Sequence, residues 1–131
     1  MTGFTREAAT QILHSWINSN TYVCLSTTTP DENGDNFTEP SAVNGYVRQQ
    51  FGPTLLDIPG QVANSQIIFL FEATGDCGSI THVGLAKTKE DKPFLVAQLS
   101  SPLTVAKGYV PLIRSKQFIV GLDKDELEAY A

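Results

Sequence analysis

The side chains with which this 131-residue chain could do chemistry are two histidines, two cysteines and a run of alternating acidic residues. Neither His14 nor His82 has a cysteine, a histidine or a carboxylate nearby at metal-ligand spacing, so no structural zinc site is predicted. His14 falls on the polar side of a predicted helix and should be exposed. His82 lies in a predicted strand and should be a hydrogen-bonded sheet residue rather than a general base.

The acidic run has the odd-position spacing of a calcium-binding loop at Asp31, Asn33, Asp35, Phe37 and Glu39. The match ends there, because the sixth position of such a loop must be glycine and the twelfth a bidentate glutamate. Those positions are Asn36 and Ala42. The run therefore predicts a solvated, turn-rich loop and no metal.

The candidate nucleophiles also lack the context that activates them. Gly78-Ser79-Ile80 does not supply the G-x-S-x-G turn of a serine hydrolase. Cys24 and Cys77 are not in a C-x-x-C arrangement, and two reduced thiols are favoured over a bridge. Neither a phosphate-binding glycine loop nor a dinucleotide fingerprint is present. The sequence therefore predicts no enzyme activity and no cofactor.

The charge balance argues against two classes of partner. Nine basic residues stand against 14 acidic ones, a net charge of −5, and no basic cluster offers a surface for nucleic acid. The longest strongly apolar run, Ile67 to Phe71, has five residues, whereas a membrane helix needs about 20. The N-terminus lacks the pattern of a signal peptide. We therefore expect a soluble, unsecreted protein.

One amphipathic helix is predicted over residues 5 to 20. Its apolar residues recur at spacings of three and four, at Ala9, Ile12, Leu13, Trp16 and Ile17. Thr5 can cap the helix, with Glu7 in the first turn. This apolar face must bury in the protein's own core or against a partner; for Trp16, core burial is favoured, and docking is the alternative.

After the helix, short β-like runs alternate with Pro, Gly, Asn and Asp. Strands are predicted at 22–26, 46–51, 66–72, 80–87, 94–100 and 117–122, with weaker candidates at 103–105 and 109–113. The pattern predicts a mainly β protein, an antiparallel β-sandwich or barrel-like domain preceded by one N-terminal amphipathic helix. We expect a single domain over 1–131, with the helix in 1–20, the β domain in 21–122 and an acidic C-terminal tail in 123–131.

Two long connections, 27–44 and 52–65, are predicted to be loops and are candidates for function. The strand that follows the first loop carries Tyr46 and Arg48 on one face, which is either solvated or turned towards a neighbouring subunit. Asn44-Gly45 can adopt positive φ and set the start of that strand.

Several segments, in order, resemble small tailed-phage virion proteins described as tail-fibre or head-fibre proteins. The matching motifs are Ser-Thr-Thr at the end of a strand (26–30), Thr-Glu-Pro (38–40), Gly-Tyr-x-Arg (45–48), Thr-His-x-Gly-Leu (81–85) and Ser-Pro-x-Thr-Val (101–105). Together with the N-terminal helix they span most of the chain. One departure is Asp76-Cys77, where the family often has an aromatic residue.

The resemblance implies a non-enzymatic structural part of a phage particle, on either the head or the tail. Our first hypothesis is therefore a capsid-surface decoration, head-fibre or appendage-base subunit, made in the host cytoplasm, that contacts other virion proteins and itself as a homo-oligomer. The candidate docking residues are Ile12, Trp16, Tyr46 and Arg48. The alternatives are a tail-fibre or baseplate-associated subunit, a carbohydrate-binding module that stacks sugars on Tyr46 or Tyr109, and, third, an enzyme.

Overall fold

The computed structural model describes residues 4–18, 20–52, 55–58 and 60–121. Helix α1 spans Arg6–Trp16, and a short 3-10 helix spans Ala42–Asn44. The strands are β1 (Tyr22–Ser26), β2 (Gln49–Gln50), β3 (Leu55–Ile58), β4 (Gln61–Asn64), β5 (Ile68–Phe69), β6 (Gly78–Ala86), β7 (Leu95–Val105), β8 (Leu112–Ile113) and β9 (Ile119–Gly121).

The strands form three sheets, and every pairing within them is antiparallel. The largest sheet has the order β2-β1-β6-β7, the second has the order β3-β4-β9, and β5 pairs with β8 in the third. The prediction of a mainly β, antiparallel protein with one N-terminal helix is therefore confirmed.

Helix α1 begins at Thr5, whose hydroxyl accepts a hydrogen bond from the Ala8 amide at 3.2 Å, as a helix cap should. It ends at Ile17, where the backbone becomes extended. Ala9, Leu13 and Ile17 are buried, and the helix packs against β4 and β9. The apolar stripe thus reaches the core through these residues, which leaves Trp16 on another side.

A single apolar cluster joins helix α1 to all three sheets. Phe51 lies fully buried within it and meets Phe118 edge to face, with ring centroids 5.3 Å apart. Ile80 and Leu85 on β6 are also fully buried in this cluster. Because the helix and the sheets share this cluster, removing the helix would open the core as well as remove a surface.

One predicted loop is wrong, because the segment 52–65 contains the hairpin of β3 and β4. Ile58 pairs with Gln61, so the two strands are joined by a two-residue connection that includes Gly60 at φ 78°. At the other end of the hairpin, where Asn64 pairs with Leu55, the buried Asn64 side chain donates to the carbonyls of Gln66 (2.8 Å) and Arg114 (2.9 Å).

Other boundaries also differ from the predicted ones. The strand expected over 46–51 shrinks to β2, that over 66–72 shrinks to β5, and 109–113 yields only β8. The runs 94–100 and 103–105 join into β7, which pairs with β6 in two stretches separated by a shift of register. The acidic tail 123–131 and residue 122 lie outside the described residues.

Candidate docking site

An exposed aromatic group lies where helix α1 meets the turn after β6. Trp16 keeps 46% of its surface exposed, and its ring is tilted 46° against Phe94 with centroids 5.3 Å apart. The Lys87 ammonium lies 4.0 Å from the centroid of the Trp16 ring, within cation–π range. We call Trp16, Lys87 and Phe94 the Trp16 patch. Its position corrects the favoured expectation that Trp16 is a core residue.

Ile12 lies four residues before Trp16, on the same side of helix α1, and is partly buried. A second aromatic–cation pair lies at the start of β1, where the Lys89 ammonium is 5.9 Å from the Tyr22 ring centroid. Tyr22 pairs with Ala86, the residue before Lys87, so both lysines emerge at one end of the large sheet. Lys87 thus brings positive charge to the Trp16 ring, in a turn that also carries the exposed side chains of Glu90 and Asp91.

The turn that carries Lys87 and Phe94 is held by hydrogen bonds at both ends. The Phe94 amide donates to the Leu85 carbonyl at 2.9 Å, which closes the β6–β7 connection. Within the turn, the Thr88 hydroxyl accepts from the amides of Glu90 (3.2 Å) and Asp91 (3.1 Å). The patch thus rests on a defined turn and on a capped helix.

Arg48 fastens this turn to the first long loop. Its guanidinium binds both carboxylate oxygens of Glu39, with Nε to Oε1 at 2.7 Å and Nη2 to Oε2 at 3.1 Å. Nη1 donates to the carbonyls of Thr88, at 3.0 Å, and Asp91. Such fork-to-fork contact is the strong form of an ion pair. The Arg48 side chain is only 9% exposed, so it positions the turn from beneath rather than meeting a partner itself.

Tyr46 completes the same network. Its hydroxyl donates to Glu39 Oε1 at 2.6 Å and accepts from the Leu25 amide at 3.0 Å, while its ring meets Phe71 edge to face. Burial, and secondly the hydrogen bond to Glu39, raise the pKa of Tyr46 above its ordinary value, so the phenol stays a proton donor. Glu39, Tyr46 and Arg48, which we call the Glu39 clamp, join the loop to β1 and to the turn.

Both cysteines are free and buried, in agreement with the prediction of reduced thiols. Burial raises the pKa of Cys24 to about 12, although the positive charge of Arg48 acts in the opposite direction. Burial and the Asp76 charge also raise the pKa of Cys77. Since the thiolate is the nucleophilic form of cysteine, these environments do not activate either side chain.

The base of the first long loop is closed by the Ser-Thr-Thr motif. Ser26 Oγ accepts from the amides of Thr28 (3.1 Å) and Thr38 (3.0 Å) and donates to the Thr28 carbonyl (2.8 Å). The Thr27 amide donates to the Thr38 carbonyl at 2.9 Å. The matching motifs on either side of this loop are therefore hydrogen-bonded parts of the scaffold.

The acidic tip of the loop is held by hydrogen bonds between the Asp31 carboxylate and backbone amides. Asp31 Oδ1 accepts from the amides of Asn33 and Asp35, both at 2.9 Å, in the manner of an Asx turn. Gly34 follows at φ 78°, where an added Cβ would lie 2.8 Å from the Pro93 carbonyl oxygen. The described residues contain no group of three or more His, Cys, Asp or Glu side chains arranged to hold a metal ion.

The two histidines lie where the sequence predicted them. His14 is exposed, with Nε2 2.6 Å from Asp57 Oδ1 on β3. His82 is 8% exposed, and its Nδ1 shares a hydrogen bond of 2.8 Å with the Thr81 hydroxyl. The first contact links helix α1 to β3, whereas the second lies within β6.

The structure does not bring the four predicted docking residues together on one surface. Ile12 and Trp16 share a side of helix α1, whereas Tyr46 and Arg48 lie in the Glu39 clamp under the turn. Sequence reasoning missed the partners Lys87 and Phe94, which lie about 70 to 80 residues beyond Trp16 in the chain, and it missed the pairing of Glu39 with Arg48. The sequence did contain one signal for the pairing of Glu39 with Arg48: these residues belong to the Thr-Glu-Pro and Gly-Tyr-x-Arg motifs, which occur in that order in the resembling proteins.

These features define a class of protein, a small antiparallel β scaffold with an exposed aromatic patch. Several residues of the matching motifs make hydrogen bonds that stabilise this scaffold. The sequence model of the family described as "Podophage GP4 fiber I protein gp80" matches residues 8–121. The chain therefore belongs to this podophage fibre family, and its resemblance to small phage virion proteins is confirmed. No curated protein and no solved structure matches the chain. Among the described residues, no helix has the length and apolar character needed to cross a membrane.

Proposed function

We propose that this protein is a non-enzymatic structural subunit of the phage virion, a capsid-surface decoration or head-fibre subunit that docks on another virion protein through the Trp16 patch. Membership of a podophage fibre family supports the structural role. In this proposal residues 1–131 act as one domain, made in the host cytoplasm and then incorporated at the particle surface.

The observation that carries the docking proposal is the exposure of Trp16. Tryptophan is enriched at the energetically dominant positions of interfaces, where one large side chain supplies much of the binding energy. Trp16 is 46% exposed although Leu13 and Ile17, its large apolar neighbours in the sequence, are buried in the core. Its contacts with Phe94 and Lys87 hold the ring in place before any partner binds, which lowers the entropy lost on docking.

The charges around Trp16 indicate the chemistry of the partner. The chain as a whole has a net charge of −5, yet Lys87 and Lys89 both lie beside exposed or partly exposed rings. A partner surface with an apolar pocket and acidic residues at its rim would complement this arrangement. Ile12, one helical turn away, extends the apolar contact.

The alternative location, a tail-fibre or baseplate-associated subunit, uses the same patch with a different partner. The carbohydrate-binding alternative has less structural support, because Tyr46 is 7% exposed and its hydroxyl is used within the clamp. Of the two tyrosines considered for sugar stacking, Tyr109 is the accessible one, with 44% of its surface exposed.

We expect Trp16→Ala to lower incorporation of the protein into particles about tenfold or more, since interface tryptophans are commonly worth about 2 kcal/mol or more. The substitution removes an exposed ring and leaves Leu13 and Ile17 in the core. Incorporation would be measured by complementing a phage that lacks the gene and quantifying the protein in purified particles by mass spectrometry.

The matched control is Val43→Ala, which shortens a side chain that is 87% exposed and lies on the 3-10 helix rather than on α1. Circular dichroism of each purified variant verifies that the fold is intact. Equal incorporation of the Trp16 and Val43 variants would contradict docking through the Trp16 patch. Absence of the wild-type protein from particles would contradict the structural role itself.

A further inference from the structure

A second apolar surface lies on the described part of the molecule, formed by β7, β8 and β9 and separate from the residues of the Trp16 patch. It is a groove of about 420 Å³ between the edge of the large sheet and the two short strands. The walls and floor include Leu70, Leu99, Leu103, Ile113, Phe118 and Ile119. We call this surface the apolar groove.

None of the described residues that line the apolar groove carries a charge. The segment from Pro93 to Ala106, which contains the whole of β7, also has no charged residue. This is unusual for a protein with a net charge of −5, in which two copies repel each other over most approaches. The groove is therefore a surface on which two copies can meet without placing like charges together.

An apolar ridge lies beside the groove. On β5 and the residue before it, Ile67 (50% exposed) and Phe69 (60% exposed) point outward, while Ile68 between them is buried. Phe69 pairs with Leu112, and Leu112 lines the groove. One face thus carries both a concave apolar surface and projecting apolar side chains, and Leu112 and Ile119 at its border are each more than 40% exposed.

We propose that this face is a self-association surface, in which Phe69 and Ile67 of one copy insert into the apolar groove of a second copy. A twofold axis makes the contact reciprocal, because each copy supplies both the ridge and the groove. Contiguous exposed apolar surface of this kind marks protein–protein contacts, and the uncharged lining favours another copy of the same acidic chain.

Backbone pairing at the edge of β7 is a weaker means of joining two copies. Although β7 runs from Leu95 to Val105, its pairing with β6 shifts register between Ile80 and His82, and Pro102 lacks an amide donor. Bulges and prolines are features that prevent open edges from adding strands. The opposite edge of the same sheet is β2, with two residues. Side chains in the groove, rather than an extended sheet, therefore carry the proposed contact.

The first test measures self-association of the purified full chain by sedimentation velocity over a series of concentrations. We expect a reversible dimer for the wild type, and a dissociation constant raised about tenfold or more for Phe69→Glu, as for an anchor residue of an interface. Val43→Glu is the control, since it adds the same charge at a side chain that is 87% exposed and does not line the groove. A monomeric wild type, or equal effects of the two substitutions, would overturn the proposal.

The second test locates the contact by mixing two differently tagged copies, one with Phe69→Cys and one with Ser100→Cys, and treating them with a short bis-maleimide. Ser100 is exposed and lines the groove, whereas the native Cys24 and Cys77 are buried. We expect cross-linked pairs that contain both tags. Replacing Phe69→Cys by Val43→Cys should abolish them; equal yields from both mixtures would place the contact elsewhere.

This inference rests on the proposed function for its biological setting, and the two fail in different ways. A chain that stays monomeric but enters particles would overturn the self-association surface and leave the structural role intact. A chain that dimerises through the groove but is absent from particles would overturn the structural role and leave the self-association surface intact.

Discussion

Replacing Arg48 with methionine is expected to lower the free energy of unfolding by about 3 kcal/mol, the cost typical of removing one partner from a buried ion pair. The Arg48 side chain is 9% exposed and that of Glu39 is 28% exposed, so the carboxylate left behind is poorly solvated. Two carbonyls, those of Thr88 and Asp91, also lose their donor. The measurement is urea unfolding followed by circular dichroism.

The exposed ion pair between Lys92 and Asp35 provides the matched control. Its atoms are 3.5 Å apart and both side chains are 63% exposed, so Lys92→Met should change stability by less than about 1 kcal/mol. The double variant Arg48→Met, Glu39→Gln removes the uncompensated charge and should recover part of the loss. If Arg48→Met were no more costly than Lys92→Met, the Glu39 clamp would not have the structural role described above.

The same substitution should also disturb the Trp16 patch, because Arg48 holds the turn that carries Lys87 and Phe94. Trp16 is the only tryptophan in the chain, so its fluorescence reports on this patch alone. We expect a change in its emission under native conditions in Arg48→Met and an unchanged spectrum in Lys92→Met.

Gly45→Ala is expected to destabilise the fold by about 3 kcal/mol, the sum of a left-handed backbone cost of about 1–2 kcal/mol and a steric clash. Gly45 lies at φ 91°, and a Cβ there would be 2.3 Å from the Glu72 carbonyl oxygen and 3.1 Å from the Thr74 amide nitrogen. Those contacts are backbone atoms, which cannot move aside as a flexible side chain can. Thermal and urea unfolding would measure the loss.

Gly108→Ala separates the two contributions to this loss. Gly108 has a similar φ of 87°, but nothing lies within 4 Å of the position of its Cβ. It should therefore show the backbone cost alone, about 1–2 kcal/mol. Equal losses at both positions would show that the approach of Gly45 to the strand connection at Glu72 is not tight.

The sequence predicted the elements whose pattern is local. The periodicity of residues 5–20 predicted helix α1, and the β-branched and apolar runs predicted the existence of β1, β6 and β7. Asn44-Gly45 predicted a positive φ, which Gly45 adopts. These features follow from spacing or from the conformational preference of one residue, so a single sequence is enough to reveal them.

The features that the sequence did not predict depend on distant contacts. Trp16 occupies an apolar position of the helix, yet the packing of α1 on β4 and β9 leaves it at the surface beside a turn about 70 residues later in the chain. Arg48 could not be distinguished from a solvated strand residue until Glu39 was placed against it. The β3–β4 hairpin was missed because its strands are four residues each and its turn resembles a loop in composition.

The central claim is that this chain is held in a phage particle by a fixed aromatic patch, and a density map of the intact virion tests it most directly. We predict density for the three-sheet fold on the particle, with Trp16 and Lys87 covered by a different virion protein. Particles without this density, or a bound subunit whose Trp16 faces solvent, would contradict the account.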